Sequence, residues 1–355
     1  MAQIQYFLGG NTPAGFYSLY DQLTDPRKVN QLYILEGGAG CGKSTLMKQV
    51  ARQGQAAGLD AEYILCSGDP DSLDGILFPA LSAAVADGTS PHVIEAQYAG
   101  AVERYADLSC FYDHAALQAK REEIITLTDT YRGHYKNAYR CLSAADQLWR
   151  EFREAACAEP IRQKLTRRAA GIIRREIKIS RTGSGVLRRR FLTAVTHRGA
   201  VALWDTVSEL ADRVYRLSDS YGLAHHLLSP IAHAALAAGY DVISCPDPME
   251  PESVAHLIIP ELSLAFVSDS FLFPWPQKTY RHLRLDAMSE QSFSDSLRSR
   301  LRLSRKIYGA LIDEAVSGLT RAKEAHDRLE ELYNPHVDFA GVGRLADQIA
   351  EEIFA

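Results

Sequence analysis

A chain of 355 residues, 46% hydrophobic and 23% charged, has the composition of an ordinary globular protein, and its length predicts two domains. The formal net charge of −5 points to no particular partner. No apolar run approaches the roughly 18 residues that a bilayer span needs. Met1–Gly10 lacks a signal peptide's basic start and apolar stretch, and the scattered cysteines, without a CxxC pair, read as reduced thiols. A cytoplasmic protein is expected.

In chain order, Leu32–Leu35 is a short apolar strand that runs into glycines, and Lys43–Ala57 carries Leu46 and Val50 at helical spacing. Ala61–Cys66 reads as a second strand. Ala80–Ala86 reads as a third, ending at Asp87-Gly88. Alternating strands and helices predict an α/β domain with a mainly parallel sheet. Asp113–Ala158 lacks proline, has a single glycine and repeats apolar residues at three- and four-residue steps. It should form one or two long helices outside the sheet, with Leu297–Tyr333 as its counterpart near the C-terminus.

Between the first strand and the first helix, Gly37-Gly38-Ala39-Gly40-Cys41-Gly42-Lys43-Ser44 matches GxxxxGK[ST] in full, with Thr45 following. Glycine lets the backbone reach left-handed conformations and approach phosphate oxygens without a Cβ in the way. The amides then form an anion nest at the positive end of the following helix. Lys43 would supply charge to the β- and γ-phosphates, and the Ser44 hydroxyl would serve magnesium, which prefers oxygen ligands. Cys41 lies within the loop and is given no chemical role. Together these residues predict a nucleoside triphosphate, ATP, bound with Mg²⁺.

Magnesium usually has an acidic anchor at the end of a neighbouring strand. Asp87, closing an apolar run, is the first choice. Asp69, Asp71 and Asp74 are the alternatives, in a Gly- and Pro-containing segment expected to be less fixed. His92, in the loop after Asp87, could reach the γ-phosphate or a substrate. Arg104, Arg121, Arg132 and Arg140, placed on the long helices, are candidate charge-stabilising fingers.

The chain also repeats itself. Phe7, Thr12, Gly15 and Asp21 recur in the same spacing as Phe191, Thr196, Gly199 and Asp205, and Ser72–Ser82 recurs as Ser253–Ser263. The expected domains are 1–160, an active phosphate-loop domain; 161–190, a basic linker helix; and 191–355, a degenerate copy. In the copy Gly37 is replaced by Asp219, Gly42 by Ala224, Lys43 by His225 and Ser44 by His226, so cradle, cation and magnesium hydroxyl are lost together. The two adjacent histidines would point about 100° apart on a helix, which argues against a shared metal. Residues 161–190 hold eleven Lys or Arg against one acid, Glu176. Ile161, Leu165, Ala169, Ile172, Ile173 and Ile177 share one helical face. A docked linker with a solvated basic face is favoured over a binding surface for nucleic acid, anionic lipid or an acidic partner, because the segment has no aromatic residues for base stacking.

With Gly9–Ser18, Gly37–Lys48, Cys66–Pro79 and Asp87–His92 in view, the sequence resembles a bacterial family of duplicated, ATPase-like P-loop proteins. The resemblance spans nearly the whole chain. It implies an α/β P-loop NTPase fold in tandem duplication, with a degenerate second half and long helical insertions. Relatives often keep a GxGK[ST] loop in the second half, which this chain lacks. The expected activity is a magnesium-dependent ATPase or nucleotide-dependent switch. The alternatives are a small-molecule or nucleotide kinase and a non-catalytic nucleotide-binding scaffold.

Overall fold

The computed structural model describes residues 3–25, 28–178 and 183–355. Residues 1–2 of the N-terminal stretch and 179–182 of the basic joint lie outside them. The first half runs β1 (Ile4–Tyr6), β2 (Gly9–Thr12), β3 (Gly15–Ser18), β4 (Gln31–Glu36), α1 (Lys43–Ala56), β5 (Glu62–Leu65), β6 (Leu73–Phe78), β7 (Ala83–Asp87) and β8 (Glu103–Asp107). The helices α2 (His114–Ala119), α3 (Arg121–Ala156) and α4 (Glu159–Glu176) follow. The second half runs β9 (Leu187–Arg189), β10 (Thr193–Thr196), β11 (Gly199–Ala202), α5 (Trp204–Leu210), β12 (Arg213–Ser218), α6 (Ala224–Ala237) and β13 (Val242–Asp247). It continues through β14 (Glu250–Ile259), β15 (Leu264–Asp269), β16 (Arg281–Arg284), α7 (Leu285–Ser289), α8 (Asp295–Tyr333) and α9 (Phe339–Phe354).

Two six-stranded sheets result, ordered β1-β5-β6-β7-β4-β8 and β9-β13-β14-β15-β12-β16. Strand for strand, the two share one order and one pattern of parallel and antiparallel pairs. Backbone detail repeats as well: Ser82 and Ser263, both non-glycine, sit at φ 50° and 47°. The sheets are mixed, which corrects the expectation of a mainly parallel one. β6 runs antiparallel to both neighbours because the turns 66–72 and 79–82 are too short for a crossover, which needs a dozen or more residues. β7 starts at Ala83 rather than Ala80, since the turn at Ser82 must finish first.

The central strands are largely apolar, with their acids near the ends. Ala83–Asp87 is buried at every position, as a strand covered on both faces must be. Helix α1 lays Leu46, Met47, Val50 and Ala51 into the core, against the first sheet on one side and α9 on the other. In the same way α4 buries Ile161, Leu165, Ala169 and Ile172 against α6. Each half therefore sends its last helix to cover the other. The one acid of the basic joint fixes α4 in place: Glu176 is buried and accepts from Arg213 (2.6 Å), Tyr215 (2.5 Å) and Arg175 (2.9 Å). Those hydrogen bonds outweigh burial and hold its carboxyl below the ordinary glutamate range. The segment 161–190 thus contributes a packed helix and, through β9, an edge strand of the second sheet.

The long helices α3 and α8 lie antiparallel, with Tyr131 against His326, Ala138 against Gly318 and Trp149 against Tyr308. Where the halves meet, Phe7 and Phe191 exchange backbone hydrogen bonds of 2.9 Å in both directions. No helix among the described residues is long and apolar enough to cross a membrane.

Candidate functional site

The phosphate-loop residues connect β4 to α1 at one end of the first sheet. Gly40 and Gly42 adopt φ of 66° and 92°, a region costly for side chains with a Cβ. The first turn of α1 contains no acid, so its unpaired amides present an uncompensated positive end. Lys43 folds back over the loop and donates to the carbonyls of Gly37 (2.7 Å) and Gly38 (3.0 Å). Cys41 is buried beneath it.

Asp87, at the end of β7, holds one carboxylate oxygen 3.6 Å from the Lys43 ammonium. Its other oxygen accepts from the Thr89 amide (2.8 Å) and hydroxyl (2.6 Å), which fixes the group. The Ser44 hydroxyl accepts from the Leu73 amide at 2.9 Å, tying the loop to the start of β6. The structure thus brings Lys43 to Asp87 and ties the neighbouring Ser44 to the strand that carries Asp74. Sequence reasoning missed Glu36, the last residue of β4, whose carboxyl is raised by burial and by Asp87 and Asp107 while Lys43 opposes the shift. Its place, one residue before the first loop glycine at a strand's end, was the available signal.

His92 is not an exposed loop residue. It is buried between the rings of Phe16 and Tyr20, each 5.0 Å away, with its Nε2 3.3 Å from Asp74. Asp74, expected in a less fixed Gly- and Pro-containing segment, is a strand residue of β6 that is only 4% exposed. In register it stands beside Asp87, since Gly75 pairs with Ala86. Asp69 and Asp71 do lie in the turn, where they meet Lys323 and Arg198. The four arginines are elsewhere: Arg104 is on strand β8, not a helix, and pairs with Glu352 of α9. Arg121 pairs with its neighbour Glu122, Arg140 bonds Asn137, and Arg132 is exposed.

The loop is roofed from the far end of the chain. The Tyr112 hydroxyl accepts from the Gly38 amide at 2.6 Å, and the Tyr333 ring, at the end of α8, lies over Gly38. The Asn334 amide, in the orientation its neighbours satisfy, donates to the Gly40 carbonyl at 2.8 Å. A Cβ at Gly40 would come within 2.7 Å of Asn334. No local motif could have revealed these partners, because Tyr112 lies 74 residues from Gly38 and Tyr333 and Asn334 nearly 300 residues away.

The equivalent loop in the second half is filled by its own side chain. Asp219 is buried, and its carboxyl accepts from the amides of Tyr221 (3.2 Å), Leu223 (2.9 Å) and Ala224 (2.6 Å). Burial pushes it up to about 7 against those hydrogen bonds. A cavity of about 20 Å³ beside Asp219 and Gly222 leaves room for little more than one water. His225 and His226 have separate partners, the Val254 amide at 3.2 Å and the Cys157 thiol at 2.8 Å.

No family model, curated protein or solved structure matches this chain.

Proposed function

We propose that the first half binds ATP at Gly37–Thr45 and that the chain is a magnesium-dependent ATPase or nucleotide-dependent switch of the duplicated P-loop kind. The observation that carries this reading is the Lys43 side chain, held over a glycine loop between a strand and a helix N-terminus, 3.6 Å from the fixed Asp87 carboxylate. The matching strand order, pairing pattern and backbone angles of the two sheets support descent of both halves from one duplicated unit. A P-loop NTPase fold for each follows from the same reading.

The residues suit magnesium by donor chemistry. The Ser44 hydroxyl and Asp87 carboxylate are hard oxygen donors placed around Lys43, and would hold the ion directly or through water. When bound, the ion would neutralise phosphate charge. Lys43 would exchange its loop carbonyls for β- and γ-phosphate oxygens, while the loop amides hold the same anion. Glu36, ending β4 one residue before the loop, would orient a water and accept its proton, and burial with the charges of Asp87 and Asp107 would raise its affinity for that proton. Tyr112, Tyr333 and Asn334 would exclude bulk water. In the second half, the Asp219 carboxyl fills the position that phosphate would need, so that half would sense or pack rather than turn over.

The roof contributed by α8 favours a switch over a plain hydrolase, because nucleotide entry must displace residues joined through α8 to the second half. ADP release measured without any acceptor tests this. Slow magnesium-dependent release in the absence of acceptor is expected. Release that appears only when a small-molecule or nucleotide acceptor is added would assign a kinase, and binding without release would assign a scaffold.

A further inference from the structure

We propose that Cys66, Asp74 and His92 form a binding site for one zinc-type divalent cation, distinct from the magnesium–phosphate position at Ser44 and Asp87. Donor atoms of the three residues all lie within 4.8 Å of one another. Zinc bonds of about 2.0–2.3 Å set tetrahedral donors roughly 3–4 Å apart, so only a small contraction is needed. A sulfur, nitrogen and oxygen set suits a borderline-soft cation and is foreign to magnesium.

The cluster is largely buried and only loosely paired: Asp74 Oδ2 faces His92 Nε2 at 3.3 Å without a hydrogen bond of good geometry, and the other ring nitrogen of His92, Nδ1, is buried without a hydrogen-bond partner. A buried carboxylate and imidazole held this loosely leave room for a further, charged partner. A cation would take up the carboxylate and the thiolate, leaving the Tyr20 hydroxyl or a water for the fourth position.

The second half supplies an internal comparison. Its strand register is preserved, Glu62↔Leu77 in the first sheet answering to Ile243↔Ile258 in the second. At that register Cys66 and Asp74 correspond to Asp247 and Ala255, so the second sheet lacks the thiol–carboxylate pair at this place. The competing group His326, Asp327 and Glu330 is only half-buried on α8, where Asp327 already pairs with Lys323. The location has a consequence for the neighbouring site: Asp74 follows Leu73, whose amide holds Ser44, so the cation and the phosphate loop share one strand.

Titration of chelator-treated, nucleotide-free protein with Co²⁺ tests the proposal without reference to ATP. One Co²⁺ per chain is expected, with the near-ultraviolet thiolate-to-cobalt band and the visible bands of a tetrahedral ion, followed by displacement with Zn²⁺. Cys66→Ser should abolish the thiolate band, and His92→Ala should weaken binding roughly tenfold or more. His326→Ala should leave both unchanged. An undiminished thiolate band in Cys66→Ser would overturn the assignment. Failure of folded wild-type protein to produce that band would overturn it whatever the variants do.

Discussion

Asp87 and Asp74 stand side by side at the end of the first sheet, yet their surroundings separate their roles. Asp87 faces Lys43 and is anchored by Thr89, whereas Asp74 faces His92 and is raised chiefly by burial, with His92 opposing. Asp87→Asn should therefore lower magnesium-dependent ADP release by roughly 10–100-fold while metal-free ATP binding stays near wild type. Asp74→Asn should have the milder effect on magnesium dependence. Magnesium titrations of ADP release for both variants check this, and the reverse order would move the magnesium anchor to Asp74. Glu36→Gln should lower turnover and preserve ATP affinity. A calorimetric titration beside the turnover assay separates those two outcomes, and equal loss of both would remove Glu36 from the reaction. Asp87 was legible because it ends a visibly apolar strand. Asp74 was misjudged because Gly68, Pro70 and Gly75 flank it, and the pattern conceals that the turn closes by residue 72.

At the scale of elements, the loop and the helix after it could be read from residue types alone, because glycine, lysine and serine each answer a local requirement. The matching loop in the second half could be located but not understood: residue types give Asp219 in place of Gly37 as a lost cradle, yet the structure makes its carboxyl the acceptor of the loop amides. This predicts a pH signature. An aspartate with an unfolded pKa near 4 and a folded value of about 7 adds stability that is complete below the first and lost as pH rises through the second. The stability advantage of wild type over Asp219→Asn should shrink between those limits, by about 1.4 kcal/mol per unit of pKa difference. Urea unfolding of both proteins at a series of pH values measures it. A gap that stays constant would show the carboxyl to be ionised throughout. Strand β6 was hidden for a different reason: its antiparallel course depends on two short turns, which periodicity does not reveal.

Across the whole molecule, the two halves are joined by buried polar groups that bond within one half and reach into the other. Asn11 is buried and donates to Val195 (2.9 Å) across the interface and to Ser67 (3.2 Å), while accepting from Tyr139 (3.1 Å). Asn11→Ala should cost about 1–3 kcal/mol, since it leaves buried carbonyls unsatisfied. A chemical denaturation series reads this as a lower midpoint. Spectroscopic probes in the two halves should still give coincident transitions, whereas separate transitions would mean that the halves unfold independently. Matched residues in the two halves accompany the strand order that the two sheets share. The exchange of α4 and α9 between halves, and the roof that α8 places over the loop, depend on tertiary packing that no spacing encodes.

The central claim is one working nucleotide site in a two-fold frame. Isothermal titration of the intact protein with magnesium ATP, run alongside Lys43→Ala with matched thermal melts, tests it most directly. One nucleotide per chain is predicted for wild type, with binding lost in Lys43→Ala at an unchanged ligand-free melting temperature. Two nucleotides per chain, or unaltered affinity in a folded Lys43→Ala protein, would contradict it.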